Sequence, residues 1–433
     1  MFRNRFLHNS ILILLVSAIF SACVEEIEID TLNENDSSTL VVEAVLTNEA
    51  IIQKVYLSRS SNRLDLETDT IYNPYIPLGT RPFDSVDWEI GASVKLQSEN
   101  GEEYIFTESE DGIYHSNSPF ALQMGVNYTL DIKRNNGQEY ISDAITIQGT
   151  SRITNVYAEK AENDSGEEGI AIYVDSEQLE GNTEYFKYTY AETYKIVAPL
   201  WQNFEFELTN YDGIDDVVDY DLEVVEKEKE DRICYNTVSS NTIDVLSTAG
   251  VSKGNVSKHK VRFITKDNFI IAQRYSILVQ QQVQSADANS FYKILQSFSQ
   301  SDNVFSQIQP GAIYANVHRK DGAFENVYGQ VEAVGVANQR IFLNYEDFFP
   351  EEIPPFAFNC GFETAKLFNF PTDRCPQGLL ERIDKATVSY YSDYNEGLVP
   401  DASCPGPYIF VPRICGDCTL LGSNIVPDFW MEE

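Results

Sequence analysis

From residue 39 onward, apolar and polar positions alternate in short runs, the period-two mark of half-buried β-strands. Leu40-Val41-Val42-Glu43-Ala44-Val45-Leu46 opens the series and Val55-Tyr56-Leu57-Ser58 follows. Ser93-Val94-Lys95-Leu96-Gln97 alternates strictly, and Asn100-Gly101 supplies the positive-φ turn that carries it into Tyr104-Ile105-Phe106. The arrangement repeats where Tyr128, Leu130 and Ile132 alternate with Thr129, Asp131 and Lys133, and Asn135-Asn136-Gly137 turns the chain into a strand over 139–147. With Gly112-Ile113-Tyr114, these make seven strands in about 110 residues, the number and spacing of an immunoglobulin-like sandwich. Residues 60–86, acidic and dotted with proline and glycine, read as a long loop hung on it.

A second β region starts near Gly169. Phe186, Tyr188, Tyr190, Tyr194 and Ile196 share one parity while Lys187, Thr189, Thr193 and Lys195 share the other, which predicts a long strand with one aromatic face. That face reads first as sandwich core; an aromatic sugar-binding platform is the alternative. Strands at 242–246, 261–265 and 275–279 are expected to continue the sheet. Phe291, Ile294, Leu295 and Phe298 recur at helical spacing, with Ser285 and Asp287 as caps, so a helix should cover an edge or face. Strands at 313–317, 327–336 and 341–345 then lead to a cysteine-rich end. The pattern predicts an all-β protein: an N-terminal immunoglobulin-like sandwich (39–150), a second β-sandwich with one covering helix (151–345), and a disulfide-rich irregular C-terminal tail (346–433).

The start of the chain differs. Arg3 and Arg5 precede an apolar run over 11–20, broken only by Ser17 and too short to span a bilayer, and Ser21-Ala22-Cys23 follows. This resembles a lipoprotein signal peptide (1–22), with cleavage after Ala22 and lipidation of Cys23; Phe20 stands where such signals carry leucine. An ordinary secretory signal with an incidental cysteine is the alternative. Glu25 and Glu26, directly behind Cys23, resemble the acidic export tag of surface lipoproteins, and 23–38 reads as an acidic tether. Cleavage removes Arg3 and Arg5 and no acid, taking the formal charge from −36 to −38. Such a chain is repelled by phosphate backbones, so nucleic acid is excluded as a partner class.

Six further cysteines, Cys234, Cys360, Cys375, Cys404, Cys415 and Cys418, form an even set in an exported chain and read first as three disulfides of open connectivity. Cys415-Gly416-Asp417-Cys418 also fits half of a zinc site, but no second C-x-x-C exists and His318 is far away in sequence; a redox pair would need a βαβ context. Gly250-Val251-Ser252-Lys253-Gly254, near His259, spells a nucleophile elbow but runs toward a strand rather than a helix, so no catalytic role is assigned to it. The acidic stretch 212–221 is a possible calcium loop, more simply a solvated one. Asp30-Thr31-Leu32, Asp69-Thr70-Ile71 and Asp84-Ser85-Val86 are weak matches to an O-glycosylation tripeptide. No catalytic residue, metal site or cofactor is predicted.

Several segments recur in order: Leu40-Val41-Val42-Glu43, Gly91-Ala92-Ser93-Val94, Gly112-Ile113-Tyr114, Gly125-Val126-Asn127-Tyr128-Thr129-Leu130, Arg274-Tyr275-Ser276-Ile277, Gln309-Pro310 and Val327-Tyr328-Gly329. Together with Cys415-Gly416-Asp417-Cys418 and Pro427-Asp428-Phe429-Trp430, they make the chain resemble a Bacteroidota outer-membrane lipoprotein family, domain of unknown function 4249. Ala315-Asn316 departs from the Gly-Asn pair expected there. The resemblance implies a non-enzymatic, surface-exposed lipoprotein, held in the outer membrane through Cys23, that assists a TonB-dependent receptor. Trp201, Phe204, Phe206 and Tyr211 are candidate contacts for that partner. A surface adhesin or structural surface protein is the alternative, and a secreted hydrolase comes third.

Overall fold

The computed structural model describes residues 39–60, 86–210, 221–250, 254–299, 315–368, 377–400 and 402–432. The period-two runs form strands and bury one parity. In Thr39–Thr47, Leu40, Val42, Ala44 and Leu46 are buried while Glu43 is exposed. Ser93–Ser98 pairs with Glu103–Glu110 in the register Val94↔Phe106 to Gln97↔Glu103, and Gly101 at φ +87° makes the turn between them. Tyr128–Lys133 and Glu139–Ser142 form the second hairpin over Gly137 at φ +88°. Leu40, Val55, Phe106, Val94, Leu130 and Tyr140, from successive strands, all enter one apolar cluster, so the strand path wraps around a single N-terminal core. The predicted 60–86 loop lies, but for its end residues, outside the described residues.

The second region is a two-layer sandwich. Tyr185–Val197 is flanked on one side by Arg274–Val283 and on the other by Ile233–Ser239 and Asp244–Ser247. Against them lies a three-stranded antiparallel sheet of Gly149–Glu162, Glu168–Gly181 and Val256–Thr265. The aromatic parity faces this layer: Phe186, Tyr188, Tyr194 and Ile196 share a core with Ile153, Val156, Ile170, Ile172, Val174 and Ile264. The face is core. The strand at 261–265, expected to extend the first sheet, belongs to the opposing one; alternation specifies which side of a strand is buried but not which sheet it joins.

One long strand, Tyr328–Asn344, stitches the regions together. It runs parallel to Thr39–Thr47 from Val41↔Tyr328 to Thr47↔Val334, then antiparallel to Arg274–Val283 from Val283↔Gly335 to Arg274↔Asn344. Fourteen strands of both regions thereby join one sheet, and Leu40–Glu433 forms one compact unit. At the changeover a Cβ on Gly335 would come within 2.2 Å of the Gly149 carbonyl oxygen, so only glycine permits the approach. Val317, Val327 and Val331, sequentially beside the second region, pack in the N-terminal core.

The C-terminal segment carries its own small sheet: Tyr408–Pro412 between Glu363–Thr364 and Val388–Asp393. Ala365, Leu379 and Phe410 form its centre, while Val411, Ile414, Cys415, Cys418 and Leu421 are built into the core of the second region. Disulfides fix that insertion. Cys234 is bonded to Cys418 and Cys360 to Cys415. Cys404 is disulfide-bonded as well; Cys375 lies outside the described residues. The two cysteines of the C-x-x-C thus bond to separate parts of the chain, Cys418 to the strand Ile233–Ser239 and Cys415 to the segment ahead of Glu363–Thr364, and not to each other.

Candidate functional site

Among the described residues, a cavity of about 730 Å³ opens on one face of the continuous sheet. Lateral register assembles its floor. Lys187↔Gln282 and Thr189↔Gln280 are paired positions of two neighbouring strands, and Glu43↔Gln330 is a paired position of two others. These polar residues lie on the parity opposite the buried aromatic and aliphatic side chains, which is why they share a face. The helix Ala286–Ser299 forms a wall with Phe291, Tyr292 and Leu295, and the loop Ser240–Ile243 another. Ser285 Oγ accepts a hydrogen bond from the Ala288 amide at 3.1 Å, capping that helix where the sequence indicated. Aromatic rings at the mouth, Tyr56 and Tyr328, remain more than a third exposed.

Lys187 is the centre of the cavity's electrostatics. Its side chain is 13% exposed, and its ammonium lies 3.8 Å over the Tyr292 ring. The nearest carboxylate oxygen, Glu332 Oε1, is 3.9 Å away, beyond hydrogen-bond length. Glu332 Oε2 accepts from Gln284 Nε2 at 2.8 Å, and Gln284 Oε1 in turn accepts from Asn289 Nδ2 at 3.3 Å. Glu332 Oε1 and Gln282 Oε1 are buried without a hydrogen-bond partner among the described residues. Burial pushes the Lys187 ammonium below its ordinary pKa, with Glu332 and Glu43 opposing the shift. Burial and the Glu332 carboxylate push the Tyr292 hydroxyl well above its own. Glu43, Lys54 and Lys187 line the cavity, and Glu332, 3.9 Å from Lys187 but outside the lining, brings these four formal charges to balance within an acidic protein.

The family model for the domain of unknown function DUF4249 matches residues 24–340. The chain belongs to the DUF4249 family. The match takes in both β regions, the helix and the whole cavity, and stops within the strand Tyr328–Asn344. No curated protein matches the chain. Among solved structures, the native conformation of Escherichia coli alpha-2-macroglobulin is similar at 9% identity and a TM-score of 0.15. That similarity covers 58% of this chain and 14% of the other, so the chain spans about a seventh of that protein's length.

In this DUF4249 chain Cys23, expected as the lipidation residue, and Glu25 and Glu26, expected as an export tag, lie outside the described residues, as do 212–220 of the acidic loop and Ser252 of the elbow-like motif. Gly254 is described and leads directly into the strand Val256–Thr265, not into a helix. His259 Nε2 sits 3.0 Å from Asp244 Oδ2, with its ring stacked on Tyr188. His318 lies 3.5 Å from Asp143 at the surface. Among the described residues no three His, Cys, Asp or Glu side chains gather as metal ligands, and no helix is long and apolar enough to cross a membrane. Of the candidate partner contacts, Trp201 packs against the second core and donates to Asp231 Oδ1. Phe206 packs on the small C-terminal core between Tyr390 and Tyr408, Phe204 is 41% exposed, and Tyr211 lies outside the described residues. Lys187, Tyr292, Gln282 and Glu332 were not anticipated. The signal available was Gln280-Gln281-Gln282-Val283-Gln284, four amides in and directly after a strand that otherwise reads as core.

Proposed function

We propose that this DUF4249 protein is a lipoprotein anchored in the outer membrane through Cys23 and displayed at the cell surface, where it binds rather than converts its ligand and assists a TonB-dependent transporter. One observation carries the reading: a lipobox-like Ser21-Ala22-Cys23 followed by a short polar stretch that ends where the first buried strand, Thr39–Thr47, begins. A stretch of that length reaches at most about 58 Å, which keeps the β body within touching distance of a membrane protein beside its anchor. Two or three acyl chains would hold it there, since each buried methylene contributes about 0.8 kcal/mol. The transporter partnership follows from the family resemblance, and the −38 charge of the processed chain calls for a partner surface with basic patches.

Cys23→Ser tests the anchor. The variant should leave the membrane fraction or accumulate unprocessed, whereas normal membrane fractionation would contradict the reading.

A further inference from the structure

We propose that the cavity between the sheet face and the helix Ala286–Ser299 is a binding site for a neutral polyhydroxylated ligand of mono- to disaccharide size, with Lys187 and Tyr292 as its polar and stacking anchors. The inference goes beyond the anchor and transporter reading and stands independently of it. At about 730 Å³ the cavity lies in the ordinary range for small-ligand sites, and it is formed by rigid strands and a packed helix rather than by loops alone.

The lining selects the ligand class. A peptide added as an extra strand needs exposed backbone donors and acceptors, and a sheet face offers only side chains. A lipid tail would bury Lys187, Gln280 and Gln282 against hydrocarbon, leaving their polar atoms without partners. An anion would gain Lys187 but meet Glu43 on the floor and Glu332 just behind Lys187, while a cation would meet the Lys187 ammonium itself. What remains is a neutral group that both donates and accepts. Lys187 makes no hydrogen bond to a carboxylate at 3.9 Å and so has N–H donors to offer; the Gln280 amide and the Ser240 hydroxyl, whose oxygens already accept from Gln282 and the Tyr190 amide, can donate, while Thr189 Oγ1 and the Gln330 amide oxygen can accept. Hydroxyl groups answer both needs at once. The second requirement, an apolar face, is met by a sugar ring's C–H side, which fits the rings of Tyr292, Tyr56 and Tyr328. The orphaned Gln282 Oε1, beside Lys187 in register, marks the same spot as incompletely satisfied by the protein's own groups.

The test is saturation-transfer NMR on the full chain, in a detergent without a sugar headgroup. The probes are glucose, galactose, mannose, xylose, cellobiose and maltose, with glucuronate, dodecanoate and dialanine as counter-probes. At least one neutral sugar should bind with a Kd of about 1 mM or tighter, and Lys187→Met and Tyr292→Ala should each weaken it at least about tenfold. Should either variant fail to fold, Thr189→Val removes a hydroxyl from the same floor at nearly constant shape and should weaken binding as well. No transfer to any neutral sugar at about 10 mM would overturn the proposal. So would binding that survives these substitutions, or tighter binding of glucuronate, dodecanoate or dialanine.

Discussion

The Cys234–Cys418 disulfide should be the largest single stabiliser of the C-terminal segment. It closes a loop of 184 residues, and chain-entropy arguments give about 5 kcal/mol for a loop of that length, only slightly less once Cys360–Cys415 shortens the path. Both sulfur-bearing residues are fully buried in the second core, next to Ile414 and Leu421, so cleavage also loosens packing there. The perturbation is the double variant Cys234→Ala/Cys418→Ala, which leaves no stray thiol. At roughly 2 cal/mol/K per residue of unfolding entropy, a loss of about 5 kcal/mol lowers the melting temperature of a body this size by roughly 6 °C if it unfolds as one. Calorimetry measures the shift, and hydrogen exchange over 408–432 shows whether the segment loosens first. A melting temperature within about 1 °C of wild type, with unchanged exchange, would refute the reasoning that this crosslink holds the segment in the core.

Three further outcomes follow from the packing. Arg134 donates to Glu89 at 2.7 Å with both side chains under a tenth exposed, so Arg134→Met should cost about 3 kcal/mol in urea melts, and Glu89→Gln in the same chain should restore part of it. Because burial lowers the Lys187 pKa in the folded state, the unfolded chain binds more protons between that value and the ordinary one near 10.5. Wild type should therefore gain stability relative to Lys187→Met as pH rises through that window, and a falling difference would contradict it. Ser252 should not react with a fluorophosphonate probe, because Gly254 passes into a strand and supplies no helix N-terminus for an oxyanion; labelling abolished by unfolding would reverse that conclusion.

The fold was legible where one strand's own residues decide its state. Alternation at 93–98 and 128–133 and the Asn-Gly turns fixed both hairpins, and helical spacing located the covering helix with its Ser285 cap. Legibility ended where pairing is remote. The strand Tyr328–Asn344 reads as two because Ala337-Asn338-Gln339-Arg340 interrupts its apolar pattern, yet these residues hydrogen-bond across to Leu278–Gln281. The six cysteines are plain in the sequence, but their partners depend on a chain path that carries Cys415 and Cys418 into a core that begins at Ile153, far earlier in the chain. The cavity was hidden for the same reason. Glu43, Lys187, Gln282, Tyr292 and Gln330 come from five elements and meet only through register, and a polar parity on a single strand looks the same whether it faces solvent or a shared cavity.

The most direct test of the proposed function is purification of the tagged protein from native membranes in mild detergent, with identification of what co-elutes. The account predicts a TonB-dependent receptor in stoichiometric amount, associating more slowly as salt rises and released from the complex's membrane setting by Cys23→Ser. Recovery of the tagged protein alone, at normal abundance, would contradict it and favour a surface adhesin.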